Sequence, residues 1–225
     1  MSLTGYRVLL SLLAAAAVSP ALFPLIAWAQ HREQDDSRGA VPATGRPSAI
    51  GSTAGIIAAS LGLAALSAVH QPASAWPAWW LYSQAGIGLA IIDTHEHRLP
   101  NRLTYPLAGA ELAALTATAA TTGDGRTRLL RAFLAAVVVG VCWLVAALAA
   151  PGGLGLGDVK LAAITAAPLG WTSWILVLNA QLLIFVVALL TAAVLALARP
   201  SARTRRMAVP LGPAIVLGAL LTPLL

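Results

Sequence analysis

Asp93 and Asp158 are the residues of this 225-residue sequence best suited to carry out a reaction. Only eight acidic residues occur in total, and three of them, Asp93, Glu111 and Asp158, fall within or at the ends of long apolar stretches. An ionisable side chain at membrane depth is costly to keep there, so such a residue is a functional candidate by default. Asp93 closes one apolar run, and Asp158 follows a glycine-rich stretch, Gly152 to Gly157.

The two aspartates are predicted to lie at the same face of a membrane, each at the end of a helix. Pro100 disfavours a continued helix after Asp93, and a helix that starts near Leu154 places Asp158 about one turn inside the same face. Two carboxyl groups brought close together tend to share one proton. One can then act as a general base on water while the other polarises a carbonyl group. Because such a pair titrates jointly, neither role is assigned to a particular aspartate.

The polar residues near the aspartates have simpler interpretations. The glycines before Asp158 would let an extended peptide backbone approach its carboxyl group closely. His95 and His97 alternate with Asp93, but only one further ligand is obvious, so we expect no metal site. Lys160 either positions an aspartate or a substrate carbonyl, or extends to lipid headgroups, and the second interpretation is favoured.

The composition requires a membrane protein. Hydrophobic residues make up 59% of the chain and charged residues 10%, which leaves too little polar surface for a soluble domain. The net charge of +6 is spread in short clusters at the edges of apolar runs, which indicates topology determinants and no nucleic-acid partner. A single cysteine, Cys142, excludes a disulfide framework and a zinc site built from cysteines.

The apolar runs predict an all-α, polytopic transmembrane bundle of about eight helices. Each run is long enough, or nearly so, to cross a bilayer. The first run resembles a signal peptide but is longer than usual, so we count it as a membrane helix. The predicted helices cover residues 7–29, 49–70, 76–93, 103–120, 129–150, 154–173, 174–198 and 208–225.

The distribution of basic residues sets the orientation. With the amino terminus outside, ten of the fourteen Lys and Arg residues fall on inner connections, as the positive-inside tendency requires. Both aspartates then face the cytoplasm. Arg126, Arg128 and Arg131 disagree, because they fall on an outer turn, and the sequence offers no account of them beyond the start of a helix at the interface.

Three motifs in order resemble the type IV prepilin peptidase family. That family has an aspartate at a helix end, a Leu-Pro-Asn stretch, then GxGD, then a late Pro-Gly-Pro element. The resemblance covers roughly residues 76–225. The matching residues are Asp93 with Leu99, Pro100, Asn101, Leu103, Thr104 and Pro106; Gly155, Leu156, Gly157 and Asp158; and Pro210, Leu211, Gly212 and Pro213.

The resemblance implies an aspartic endopeptidase of the bacterial cytoplasmic (inner) membrane, without a cofactor, with Asp93 and Asp158 catalytic. Its substrate would be a pilin or pseudopilin precursor, cut on the cytoplasmic side between a short basic leader and an apolar helix. The residues expected to bind substrate or shape the site are Gly155, Gly157, Lys160, Pro100 and Asn101.

The chain departs from larger family members in one place. They carry a cytoplasmic domain with paired CxxC motifs and methyltransferase activity, where this chain has only the short loop from Gln30 to Pro47. We therefore expect a peptidase without methyltransferase activity. Residues 1–48 would form the first membrane helix and this loop, and residues 49–225 the peptidase-like membrane domain.

Two other functions are open to this sequence. An intramembrane protease of the presenilin type also uses an aspartate and GxGD, but its Pro-Ala-Leu element follows both aspartates, whereas Pro20, Ala21 and Leu22 precede them here. A transporter would use paired carboxylates to bind a proton or cation near the midplane. The Leu-Pro-Asn stretch and the shallow position of both aspartates favour the prepilin peptidase.

Overall fold

A computed structural model gives the architecture of the protein. It describes residues 58, 62, 65–66, 72–96, 99–149, 154–198 and 211–224. Within these residues the fold contains helices and no strand. The helices are α1 (Trp76–Glu96), α2 (Asn101–Thr121), α3 (Gly125–Ala149), α4 (Leu156–Thr172), α5 (Trp174–Ala198) and α6 (Leu211–Leu221), followed by a 3-10 turn (Thr222–Leu224).

Six of the eight predicted helices appear, with ends within about four residues of the expected ones. The bounds of α5 coincide with the predicted 174–198. The predicted helix at 7–29 lies outside the described residues, and so does most of 49–70. The all-α class is therefore confirmed for the described part of the chain, while the number eight stays a prediction.

Two of the described helices are long and apolar enough to cross a membrane: Gly125–Ala149 and Trp174–Val194. Both expose large apolar side chains over much of their length, such as Phe133 at 60% and Leu189 at 70%. Apolar surface of this extent is typical of contact with lipid or a partner rather than with water.

Small residues bring α3 and α4 into close contact. A Cβ atom added at Gly170 would lie 2.4 Å from the Cβ of Ala135, and one added at Gly140 would lie 3.2 Å from the Cβ of Ala163. Such contacts between small residues let the backbones of membrane helices approach and gain dispersion energy. This packing fixes the start of α4, and with it Asp158, relative to the rest of the bundle.

Two arginines at the start of α3 have partners that the sequence did not reveal. Arg131 donates to the carbonyl oxygens of Gly170 (2.6 Å), Trp171 (2.6 Å) and Thr172 (2.9 Å), the last residues of α4. A cation at a helix C-terminus also interacts favourably with the helix dipole.

Arg128 forms an ion pair of 2.7 Å with Asp124, and this hydrogen bond lowers the pKa of the Asp124 carboxyl group. Two of the three arginines on the predicted outer turn therefore have structural roles there.

The last helix completes the bundle. α6 contacts α1, α4 and α5. Gly218 of α6 lies so close to α5 that an added Cβ atom would be 2.7 Å from the backbone nitrogen of Ile184. On the α1 side, Gly86 lies against Val216, with an added Cβ atom 3.2 Å away. These contacts place the first residues of α6 beside the last turn of α1.

Candidate active site

Asp93 lies near the end of α1 with its carboxyl group buried; the residue is 5% exposed. Its Oδ2 atom accepts a hydrogen bond of 2.8 Å from the backbone N–H of Gly212, 119 residues later in the chain. Gly212 is the second residue of α6, where backbone N–H groups have no partner within the helix. The carboxyl group therefore supplies an acceptor that the helix start lacks.

Gly212 must be a glycine for Asp93 to sit where it does. A Cβ atom at this position would lie 2.8 Å from Oδ2, 2.9 Å from Cβ and 3.0 Å from Cγ of Asp93. Contacts this short are essentially never seen for real Cβ atoms, so any side chain here would displace the carboxyl group. Gly212 thus donates a hydrogen bond to Asp93 and, because it has no side chain, leaves room for the carboxyl group.

Asp158 lies in the first turn of α4 and is half-buried. Its Oδ2 atom accepts a hydrogen bond of 3.2 Å from the N–H of Gly155, the residue that caps the helix. An acidic side chain three residues into a helix often accepts from the cap in this way, and the helix dipole favours negative charge there. The carboxyl group is held near the helix start and keeps part of its surface open.

The segments that carry the two aspartates meet at one end of the bundle. Leu99, three residues after α1, contacts Gly157 in the first turn of α4, and Lys160 of α4 bonds to Asn101. The negative charge of Asp93 acts on Asp158 from a different helix. The arrangement can therefore hold two interacting carboxyl groups, one buried and one partly open.

Lys160 and Asn101, both predicted site residues, contact each other. The Nζ atom of Lys160 donates a hydrogen bond of 2.7 Å to Oδ1 of Asn101 and lies 5.0 Å from the centre of the Tyr105 ring. The sequence favoured a contact between Lys160 and lipid headgroups, and it did not predict these two partners. Because Lys160 follows Asp158 by two residues and Asn101 is the first residue of α2, the contact links the segments that follow the two acids.

Pro100 and Gly157 shape the backbone around the pair. Pro100 precedes α2 in an extended conformation, and its carbonyl oxygen accepts from the N–H groups of Leu103 and Thr104. At Gly157 an added Cβ atom would lie 2.9 Å from the Cβ of Leu99. The missing side chain at Gly157 is thus needed by the chain itself, and the exposed Gly155 is the glycine that a substrate backbone could approach.

A metal site and the buried Glu111 are the remaining points about polar residues in this half of the chain. In the described part of the chain, no group of three His, Cys, Asp or Glu residues could hold a metal ion. The side chains of His95 and His97 lie outside the described residues, so the absence of a metal stays a prediction. Glu111 is 2% exposed, and neither of its carboxyl oxygens has a hydrogen-bond partner among the described residues.

Gly212 is the site residue that sequence reasoning did not assign. It was noted as part of the late Pro-Gly-Pro element but given no role. The available signal was a glycine next to a proline at the start of a predicted helix. That pattern marks a helix start without indicating which distant side chain it meets.

One comparison with known proteins identifies a family. A family model described as the type IV leader peptidase family matches residues 78–197, more than half of the chain, and this range includes both Asp93 and Asp158. No curated protein and no solved structure matches the chain.

Proposed function

The chain belongs to the type IV leader peptidase family, and on that premise we propose that it is an aspartic endopeptidase whose catalytic pair is Asp93 and Asp158. The family makes it a peptidase. The observation that supports the aspartic mechanism is that the end of α1 and the start of α4, which carry these two carboxyl groups, lie together at one end of the bundle.

The pair would work with one proton between its two carboxyl groups. The ionised group takes a proton from water while the water oxygen attacks the carbonyl carbon of the scissile peptide bond. The protonated group donates its proton to the carbonyl oxygen, which gives a neutral tetrahedral intermediate. When the carbon–nitrogen bond breaks, the proton taken from water passes to the leaving nitrogen, and the proton on the former carbonyl oxygen returns to the pair.

We propose that the substrate is a pilin or pseudopilin precursor, cut between its basic leader and its apolar helix. Asp158 is partly open and follows the exposed Gly155, so an extended backbone can reach the pair from outside the bundle. Arg102 and Lys160 lie at the same end as the aspartates, and positive charge at that end supports a cytoplasmic orientation of the site. The protein would cross the bacterial inner membrane several times, with its active site towards the cytoplasm.

The rest of the sequence supports cleavage without methylation. The chain has one cysteine, Cys142, which lies in α3 and is exposed. Paired CxxC motifs therefore cannot occur, and the loop between the first two predicted helices is too short for an added domain. We propose that the mature product keeps an unmethylated amino terminus.

A cleavage assay tests the proposal. Membranes that contain the protein should shorten a pilin precursor with its leader, and Asp93→Asn and Asp158→Asn should each leave that precursor uncut, because the amide cannot exchange the shared proton. Asp124→Asn is the matched control, since Asp124 pairs with Arg128 in the turn between α2 and α3 and should be dispensable. Wild-type cleavage by either site variant would remove that aspartate from the mechanism.

A further inference from the structure

One of the three arginines at the start of α3 has no structural partner among the described residues. Arg128 pairs with Asp124, and Arg131 binds the carbonyl groups that end α4. Arg126 is exposed, and no described residue bonds to its guanidinium group. Its charge is therefore available to a group from outside the chain.

Arg126 lies on the lining of an apolar groove of about 620 Å³ between α2, α3 and α4. The other lining residues are apolar except Glu111, whose two carboxyl oxygens are buried in the protein and inaccessible. Apart from Arg126, the groove thus offers an occupant little but hydrocarbon contact. Leu112, Leu115, Leu130, Phe133, Ala136 and Ile164 are among its lining residues.

The length of the groove matches one leaflet of a bilayer. Along α3 its lining runs from Arg126 to Ala136, which is about 15 Å at 1.5 Å per residue. The hydrocarbon core is about 30 Å thick, so the groove reaches from the membrane surface to its middle. Arg126, in the first turn of α3, lies at the surface end.

The lining of the groove favours an acyl chain. Its residues other than Arg126 and Glu111 offer only hydrocarbon contact, and an acyl chain carries no polar group that would be left without a partner there. A hydrocarbon chain attached to an anionic group is the membrane component that matches an apolar groove with a cation at one end.

We infer that this groove binds an anionic phospholipid, with its phosphate against Arg126 and one acyl chain between α2, α3 and α4. The start of α3 adds to the attraction. Of its first four N–H groups, those of Gly125 and Arg128 donate to carbonyl groups of the preceding turn, and the amides between them can face an anion. The site rests on α3 crossing the bilayer and is independent of the proposed peptidase activity.

Native mass spectrometry of the full chain tests the charge contact. The detergent-purified, delipidated protein is titrated with phosphatidylglycerol, and with phosphatidylcholine as the neutral probe. Wild type should bind one phosphatidylglycerol in preference to phosphatidylcholine, and Arg126→Ala should weaken this binding about five-fold, the effect of one basic residue near an anionic lipid. Arg128→Ala, which removes the same charge from the same turn, should bind as wild type does.

A second pair of variants tests the groove. Ala136→Trp fills the space and should abolish the preferential binding, whereas Ala146→Trp, on an exposed part of α3, should not. The inference is overturned if Arg126→Ala binds like wild type, if both arginine variants weaken binding equally, or if Ala136→Trp has no effect. A photoreactive residue at position 136 that attaches to residues 7–29 or 49–70 instead of to lipid would also overturn it.

Discussion

At the scale of single residues, the site depends on backbone groups as much as on its two acids. The carboxyl group of each aspartate accepts a hydrogen bond from a glycine N–H, that of Gly212 for Asp93 and that of Gly155 for Asp158. Gly155 caps the start of α4 and Gly212 is the second residue of α6, positions where N–H groups lack partners within the helix. The sequence predicted both aspartates, because a carboxyl group in an apolar run is conspicuous, but a backbone donor has no signature of its own.

Gly212→Ala should therefore impair cleavage without touching either acid. The added methyl group would lie 2.8 Å from the Asp93 oxygen and would force the carboxyl group off the N–H donor. A hydrogen bond to a charged group contributes about 1.5–3 kcal/mol, so we expect kcat/KM for a pilin precursor to fall roughly 10- to 100-fold.

Gly109→Ala is the matched control for this change. Gly109 lies in α2 with nothing within 4 Å of the added Cβ atom, so its variant should cleave as wild type does. Both variants should be checked for an unchanged melting temperature. Full activity in Gly212→Ala would show that the Gly212 amide does not position Asp93.

At the scale of elements, the positions of the helices can be predicted from local sequence pattern, whereas the contacts between helices cannot. The apolar run 174–198 defined α5 correctly because its limits, Trp174 and Pro200, can be read from the sequence. The contact between Arg131 and the end of α4 spans about 40 residues. Only the packing of α3 on α4 creates it, so the arginines of the predicted outer turn had no explanation before the structure.

Arg131→Met should weaken the junction of α3 and α4. It leaves three carbonyl groups at the end of α4 without their donor, and we expect the free energy of unfolding to fall by about 1–3 kcal/mol. Thermal unfolding in detergent measures the change. Arg126→Met removes an equal charge from the same turn without breaking a bond to the described residues, and its melting temperature should not change. Equal losses in the two variants would point to net charge as the cause.

At the scale of the whole molecule, three helix ends meet where the acids lie. α1 ends there, α4 begins there, and α6 begins there with Gly212 against Asp93. The order of the apolar runs predicted that these ends share one face, but the distance between them depends on packing contacts far apart in the chain. The predicted helices at 7–29 and 49–70 stay predictions, as does the total of eight.

The orientation can be tested by labelling single cysteines in a Cys142→Ser background. A cysteine in place of Asp36 or Arg203 should react with a membrane-impermeant thiol reagent only from the cytoplasm. A cysteine in place of Gly123, in the exposed turn between α2 and α3, should react only from the outside. Labelling of positions 123 and 203 from the same side would contradict the predicted order of crossings.

The bond between Asp93 and Gly212 also has a consequence for biosynthesis. The ribosome makes the acid 119 residues before the amide that restrains it. Until the final apolar segment has been translated and has docked, α1 and α4 can both be in place while Asp93 still lacks this restraint. A nascent chain should therefore acquire its proteolytic competence only after α6 has entered the membrane.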